Sequence, residues 1–255
     1  MSKGNGNGQW TSDEMMAVAA ARELGDSVVC FVGIGLPSTA ANLARRMHAP
    51  NAVLIYESGC IGSRPDRLPA SIGDGVLSET AVANVGVVEI FSYWLQAGRI
   101  DVGFLGAAQI DPFANINTTV IGAYDTPLVR LPGAGGAPEI AANCGEVIIT
   151  LRHSRRAFVE ELDFVTSLGH GTGQGCREQL GLRGRGPSAV ISDLGVLRPH
   201  PETRELMLTS VHPGVSVNDV REATGWDLPV ANEVEVTPVP TFEELAVLRD
   251  LKAAP

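Results

Sequence analysis

The chain has 255 residues, of which 44% are hydrophobic and 19% are charged, and its formal net charge is -10 at pH 7. A chain of this length can bury a full hydrophobic core in one large or two modest domains. It contains no apolar run of the roughly 18 residues that a membrane span requires. The acidic balance argues against nucleic acid as a partner, because phosphate binding requires a basic face. We therefore expect a soluble globular protein with no membrane or nucleic-acid partner.

The first ten residues and the cysteines bear on domain organisation and location. Residues 1–10 are polar and rich in glycine and asparagine, without the apolar core of a signal peptide, so a loose N-terminal tail is predicted. No linker clearly divides residues 11–255, which are predicted to form a single domain. Neither CxxC pairing nor zinc-like spacing relates the four cysteines, which is typical of reduced thiols in a cytoplasmic protein. The five histidines lack the i, i+4 spacing of a helical metal site, and no metal site is predicted.

Short β-branched runs alternate with helical segments along the chain, which is typical of a mostly parallel sheet covered by helices. The predicted strands are, in chain order, 27–33, 53–56, 102–106, 118–121, 147–150, 188–193 and 206–211. The last two are expected near a sheet edge, with antiparallel pairing as an option. The predicted helices are 38–47, 88–97, 215–224 and 241–251, the last beginning with a capping-box pattern. The glycine-rich segment 169–186 is predicted to be an exposed loop.

One carboxylate follows a strand in a position that suggests chemistry. The strand predicted at 53–56 runs directly into Glu57 and then into Ser58 and Gly59. A strand as apolar as this one belongs inside a sheet. Glu57, which follows it, is therefore expected at the carboxyl-terminal edge of the sheet, where open α/β sheets bind ligands. A carboxylate at the border of an apolar interior is a candidate nucleophile or general base. Ser58, beside it, is a candidate for orienting a substrate.

Two glycine-containing segments are candidate ligand-binding turns. Gly33-Ile34-Gly35 is similar to the start of a dinucleotide-binding fingerprint, but the position of the third glycine is Ser38. A tight turn that lets the next helix pack closely is favoured over a nicotinamide site.

The second segment, 131–139, has three glycines within four residues, which exposes backbone N–H groups and permits close approach of a ligand. Its candidate residues are Gly133, Gly135, Gly136 and Ala137. If Pro138 lies in the first turn of a short helix, the amides lie at the positive end of that helix and can stabilise an oxyanion on a thioester carbonyl. The alternative is a mobile surface loop.

Two polar segments leave a structural and a functional interpretation open. Gln109 and Asn117 flank a turn rich in side-chain amides, which can orient a polar substrate or hold the loop itself. Arg64 and Arg67 follow Glu57 by a few residues and can meet a substrate carboxylate, or can form an ordinary solvated face.

An ordered series of segments resembles the β subunit of class I coenzyme A transferases, and among these the 3-oxoadipate and glutaconate types. The matching segments are Tyr56–Gly59, Leu68–Asp74, Gly106–Asp111, Asn115–Thr119, Gly133–Ala137, Phe164–Ser167, Ser192–Gly195 and His212–Val215. The resemblance covers nearly all of the chain outside the first ten residues and the C-terminal tail. Such an ordered series is far more specific than any one motif.

The resemblance implies a three-layer α/β/α fold with a mostly parallel sheet and an α subunit as partner in an α₂β₂ assembly. It implies that Glu57 is the catalytic glutamate, that Gly135 and Gly136 belong to the loop supporting the oxyanion, and that Asn117 lies near the reacting centre. The substrates would be a coenzyme A thioester, such as succinyl-CoA, and a dicarboxylic acid such as 3-oxoadipate. No permanently bound cofactor is implied.

Three other functions remain open on the sequence alone. A glutaconate-type transferase would use another acid, and a thioester hydrolase on the same fold would admit water to the intermediate. A non-catalytic acyl-CoA-binding scaffold subunit would leave all chemistry to its partner. The retained Glu57 favours transfer over the hydrolase and scaffold alternatives, and it does not distinguish between the two acids.

Overall fold

A computed structural model describes residues 10–253 of the chain. Its contacts divide the chain into two compact units, one up to Phe104 and again from Val239 onward, and the other from Leu105 to Pro238. Residues 1–9 of the predicted tail lie outside the described residues. The prediction of a single domain over 11–255 stays a prediction, because a division by contacts does not show whether the two units fold separately. No helix within residues 10–253 is both long and apolar enough to cross a membrane.

Helices and strands alternate along most of the chain. The helices are α1 (Ser12–Arg22), α2 (Leu36–Arg46), α3 (Gly75–Glu79), α4 (Val87–Glu89, continuing as a π-helix over Ile90–Leu95), α5 (Ala137–Asn143), α6 (Cys176–Gln179), α7 (Val217–Glu222) and α8 (Phe242–Ala253). The strands are β1 (Val29–Val32), β2 (Val53–Tyr56), β3 (Cys60–Ile61), β4 (Ala83–Asn84), β5 (Val102–Gly106), β6 (Gln109–Ile110), β7 (Ile116–Asn117), β8 (Val120–Ile121), β9 (Val129–Arg130), β10 (Glu146–Thr150), β11 (Pro187–Ile191), β12 (Gly195–Pro199), β13 (Leu206–Val211) and β14 (Val230–Val236).

The sheet of the first unit places three parallel strands side by side. Strand β1 pairs in parallel with β2 on one side and with the first residues of β5 on the other. Strands β3 and β4 add antiparallel pairs beyond β2. The predicted strands at 27–33, 53–56 and 102–106 are thus confirmed, and the carboxyl ends of β1 and β2 lie at the same edge.

Helices α1 and α8 are joined by two ion pairs that also involve their N-terminal caps. In the capping box of α1, the Glu14 N–H donates to Thr11 Oγ1 and the Glu14 carboxylate accepts from the Thr11 N–H, and the same carboxylate pairs with Arg249 at 2.7 Å. Glu244 does the same for α8, where it pairs with Arg22 at 2.7 Å, so the capping box predicted for α8 is confirmed. Helix α1 was not predicted, because residues 15–21 are buried all round and show no helical periodicity.

In the second unit, strands follow the order β10, β11, β12, β13 and β14. Strands β10 and β11 are parallel, β12 is antiparallel to both of its neighbours, and β14 returns parallel to β13. The predicted strands at 147–150, 188–193 and 206–211 are confirmed, whereas β12 and β14 were not predicted. The prediction of an α/β fold with a mostly parallel sheet is borne out, since β1, β2 and β5 pair in parallel, as do β10 with β11 and β13 with β14.

Two predictions for the second unit are corrected by the structure. The strand predicted at 118–121 is reduced to β8 (Val120–Ile121), because the chain breaks after β7 and residues 118–119 are not part of a strand. Asn117 causes this break, because its Oδ1 accepts a hydrogen bond from Thr119 N at 2.9 Å and closes a turn. The segment 169–186 is not simply an exposed loop, since Arg177 and His170 are 5% and 3% exposed and α6 lies within it.

Candidate active site

Glu57 stands at the start of a tight turn on the sheet edge. Strand β2 ends at Tyr56, which is fully buried, whereas Glu57 is half-buried and Ser58 is exposed. The backbone N–H of Gly59 donates to the carbonyl of Tyr56 at 3.0 Å and closes the turn. The structure therefore places the carboxylate where the sequence predicted it, at the carboxyl end of a parallel strand.

Gly59 fixes this turn because no other residue fits its position. Its φ of +105° lies in a region that favours glycine, and a Cβ there would be 1.9 Å from the carbonyl oxygen of Val85. Val85 in turn donates its N–H to Gly59 O at 3.0 Å. The hydroxyl of Ser58 donates to Cys60 Sγ at 3.5 Å within the same turn. The turn that carries Glu57 is thus locked on the side of β4.

Helix α2 begins at the same edge as Glu57. Strand β1 pairs Val32 with Tyr56, and Gly35 follows as the N-cap of α2 with φ +86° and no side-chain cap. Pro37 lies in the first helical turn, where its missing N–H costs no hydrogen bond. The N-terminal end of this helix favours negative charge near the turn. The alternative of a dinucleotide fingerprint is not supported, since Ser38, at the position of the third glycine, is buried 3.4 Å from the Tyr56 hydroxyl.

The glycine loop of the second unit (residues 131–139) has open space beside Gly133 and Gly135, and hydrogen bonds hold one end of it in place. Gly133 and Gly135 have φ of +102° and +49°, and a Cβ at either would meet nothing within 4 Å. Gly136 is the N-cap of α5, with Pro138 in the first turn as expected. Gly133 N donates to Thr118 O at 2.9 Å, and Thr118 Oγ1 donates back to Gly133 O at 2.8 Å. The loop is therefore tied to the end of β7, which disfavours the alternative of a mobile surface loop.

The predicted amides Gln109 and Asn117 bond mainly to each other and to the chain around them. Asn117 is fully buried and donates to Gln109 Oε1 at 2.7 Å and to Val120 O at 2.6 Å. Gln109 Nε2 donates to Asp163 at 2.8 Å. These contacts give both amides a structural role, in holding the turn that anchors the glycine loop. A direct contact of either amide with a substrate stays a prediction.

The two arginines after Glu57 differ in what they contact. Arg67 forms two hydrogen bonds with Asp74, at 2.7 and 3.0 Å. This guanidinium holds the pKa of the Asp74 carboxyl well below its usual range. Its charge is thus used within the chain, which favours the structural interpretation of Arg67, whereas Arg64 is exposed.

Arg177 is a buried residue that sequence reasoning missed. Its guanidinium donates to carbonyls at both ends of the segment 168–184 and at the end of α5, and no carboxylate is among these acceptors. The acceptors are Gly184 O (2.9 Å), Gly169 O (2.7 Å), Leu168 O (3.4 Å), Ala141 O (2.8 Å) and Ala142 O (3.4 Å). Burial lowers the pKa of Arg177. Arg177 therefore ties the helix that follows the glycine loop to the segment predicted as exposed.

A second cluster of buried polar side chains lies at the turn after β11. His153 Nδ1 lies 3.0 Å from Ser192 Oγ and its Nε2 lies 2.9 Å from Thr224 Oγ1, while its ring stacks on Phe158 at a centroid distance of 3.6 Å. Burial lowers the pKa of His153 to about 4, so the imidazole is neutral at pH 7. With both ring nitrogens bonded and the ring covered, His153 is a structural residue.

A family model described as coenzyme A transferase matches residues 13–223. The chain belongs to the coenzyme A transferase family. The family and enzyme class implied by the resemblance are thereby confirmed.

Individual relatives of this coenzyme A transferase match it along nearly its whole length. The β subunit of the 3-oxoadipate CoA-transferase of Pseudomonas knackmussii is 59% identical over 244 residues, which cover 96% of this chain and 94% of that protein. The β subunit of the glutaconate CoA-transferase of Acidaminococcus fermentans is 39% identical over 237 residues, covering 89% and 87%. The crystal structure of glutaconate coenzyme A-transferase from A. fermentans matches with a TM-score of 0.90 at 34% identity, covering 96% of this chain and 95% of that one.

Proposed function

We propose that this coenzyme A transferase is the β subunit of an enzyme that moves CoA from an acyl-CoA, such as succinyl-CoA, to 3-oxoadipate. The half-buried Glu57, held on a locked turn at the carboxyl end of β2, is the observation that carries the proposal. The 59% identity to the β subunit of a 3-oxoadipate CoA-transferase supports the choice of acid. Its partner in the proposal is an α subunit, in an α₂β₂ assembly in the cytoplasm.

The proposed reaction proceeds through covalent intermediates on Glu57. Its carboxylate attacks the acyl-CoA carbonyl, which forms a mixed anhydride and releases the CoA thiolate. The thiolate then attacks the glutamyl carbonyl, so that the acyl group leaves as a carboxylate and a glutamyl-CoA thioester remains. The acceptor acid takes the CoA by the same steps in reverse, and Glu57 is regenerated. Each step uses only carboxylate, carbonyl and thiolate groups, and the two half-reactions predict ping-pong kinetics.

Backbone amides have a defined part in this proposal. Each tetrahedral intermediate carries an oxyanion, and preorganised N–H donors stabilise such charge best where water is excluded. The proposed donors in the glycine loop are the N–H groups of Gly135 and Gly136, and the anchoring of the loop to Thr118 fixes its base. The N–H of Ala137, also a sequence candidate, instead donates to Ala134 O at 3.0 Å. Binding of the distant nucleotide part of CoA would supply energy for bringing the reacting groups together.

The test is Glu57→Gln, produced with its α subunit and assayed with succinyl-CoA and 3-oxoadipate. Glutamine has the same size but no nucleophilic carboxylate, so we expect transfer to fall by at least about 10³-fold. In the native enzyme, borohydride or hydroxylamine should inactivate only after exposure to acyl-CoA, because only then does the glutamyl-CoA thioester exist. Mass spectrometry of the treated protein should locate the modification on Glu57.

The control and the acceptor panel separate the alternatives. Glu79→Gln, which makes the same carboxylate-to-amide change at an exposed position on α3, should keep the ability to form the covalent adduct. Full transfer by Glu57→Gln would refute the mechanism and favour a scaffold role for this chain. Release of free CoA at the same rate with and without an acceptor would indicate a hydrolase. Faster transfer to glutaconate than to 3-oxoadipate would correct the acid and leave the mechanism intact.

A further inference from the structure

The residue immediately before Glu57 carries a completely buried hydroxyl group. Tyr56 is 0% exposed, and its Oη accepts a hydrogen bond from Asn42 Nδ2 at 3.0 Å and lies 3.4 Å from Ser38 Oγ. Asn42 and Ser38 lie on α2 and are themselves 0% and 1% exposed. Asn42 Nδ2 also lies 2.9 Å from the carbonyl of Ser38. These three side chains, the Tyr56 anchor, join the end of β2 to the first turns of α2.

Packing alone does not account for the Tyr56 anchor. A phenylalanine would fill nearly the same volume without burying a hydroxyl group. Among the described residues, Asn42 Oδ1 is buried without a hydrogen-bond partner, which is a cost that an apolar contact would avoid. Burial also raises the pKa of Tyr56, so its phenol is neutral and acts only through hydrogen bonds. The buried hydrogen bonds of Tyr56 therefore fix the orientation of the end of β2 rather than add stability.

By fixing Tyr56, the Tyr56 anchor also fixes the orientation of the turn that bears Glu57. The carbonyl of Tyr56 accepts the hydrogen bond from Gly59 that closes this turn. A rotation of the Tyr56 backbone would consequently rotate the turn and its carboxylate. On its far side the turn is held by the close approach of Gly59 to Val85. Glu57 thus lies between two fixed points, of which the Tyr56 anchor is one.

We propose that the Tyr56 anchor is a positioning element that fixes the Glu57 carboxylate in the direction needed to attack the acyl-CoA carbonyl. This inference rests on the proposed nucleophilic role of Glu57. Tyr56, Asn42 and Ser38 act through the backbone of the turn, without contact with the substrate. Nucleophilic attack depends steeply on the approach of the two reacting atoms, so a small loss of alignment lowers the rate far more than it lowers binding.

The test measures formation of the Glu57 thioester in a single turnover, using the complex with the α subunit and succinyl-CoA. We expect Tyr56→Phe to lower the maximal rate about 10-fold, while the succinyl-CoA concentration for half-maximal rate changes less than about 2-fold. Asn42→Leu, which leaves the tyrosine ring in place, should lower the maximal rate similarly. The double variant should lose little more than either single variant, because both remove the same hydrogen bond.

A matched control separates positioning from a general loss of stability. Ser63→Ala removes another fully buried hydrogen bond of the same unit, from Ser63 Oγ to Leu77 O at 2.8 Å, and should lower the melting temperature without lowering the rate. Wild-type rates in both Tyr56→Phe and Asn42→Leu would overturn the inference. If Tyr56→Phe does not assemble, Asn42→Leu alone tests the inference, and a wild-type rate in that variant would overturn it. Thioester formation or full transfer by Glu57→Gln would instead overturn the function on which the inference rests.

Discussion

The buried imidazole of His153 makes a quantitative prediction about stability in acid. In the unfolded chain this histidine takes up a proton near its reference pKa of 6.5, whereas in the folded chain it does so only at about 4. Because the folded pKa is lowered, the stabilising contribution is complete above pH 6.5. It is lost as the pH falls from 6.5 towards 4, where the unfolded state binds the proton and the folded state does not. The burial that lowers this pKa is the stacking on Phe158 and the enclosure by Ser192 and Thr224.

The two pKa values set the size of the effect. The full difference corresponds to about 3 kcal/mol of unfolding free energy, of which about 2 kcal/mol should be lost between pH 7 and pH 5. His170 and His212 are also buried and their pKa values are also lowered, so the wild-type protein loses stability in acid for more than one reason. The contribution of His153 must therefore be measured as a difference between two proteins.

The assay is urea unfolding of the wild-type protein and of His153→Gln at pH 7 and at pH 5. Protein concentration must be fixed, because association with another subunit adds to apparent stability. Glutamine does not titrate, so the variant should be less stable at pH 7 but should lose about 2 kcal/mol less than the wild type on acidification. An equal loss in the two proteins would refute the argument that His153 is kept neutral by burial.

Two further predictions concern residues that fix the surroundings of the proposed site. Gly59→Ala should prevent correct folding of the turn and leave little assembled protein on size-exclusion chromatography, because its Cβ would lie 1.9 Å from Val85 O. Gly25→Ala, whose Cβ would be an ordinary 3.7 Å from its nearest neighbour, should be tolerated in the same experiment. Arg177→Met should lower the free energy of unfolding by about 3 kcal/mol or more, because several buried carbonyls lose their donors. Chemical denaturation checks this, and an Arg177→Met protein as stable as the wild type would contradict it.

Much of the local structure could be read from the sequence. Apolar β-branched runs predicted the parallel strands β1, β2, β5 and β10, and the pattern from Thr241 to Glu244 predicted the start of α8. The position of Glu57 at a sheet edge followed from a buried strand that runs into a carboxylate. Gly133 and Gly135 could be singled out because glycine alone adopts positive φ readily, and both do so here. These inferences depend on short-range preferences, which the sequence carries directly.

Other features were decided only by tertiary contacts. The amides of Gln109 and Asn117 bond to each other although they are eight residues apart, and the bond from Thr119 N to Asn117 Oδ1 interrupts a segment that reads as one strand. Arg177 lies in a segment whose glycines and charges indicate an exposed loop, yet carbonyls from distant positions surround it. Tyr56 reads as one more apolar strand residue, and only α2, packed against β2, supplies the partners of its hydroxyl. Sequence thus determined which carboxylate lies at the sheet edge, as a candidate nucleophile or general base, and which backbone could turn tightly. The tertiary structure decided which polar groups hold those turns in place, because the partners of a buried polar group lie far along the chain.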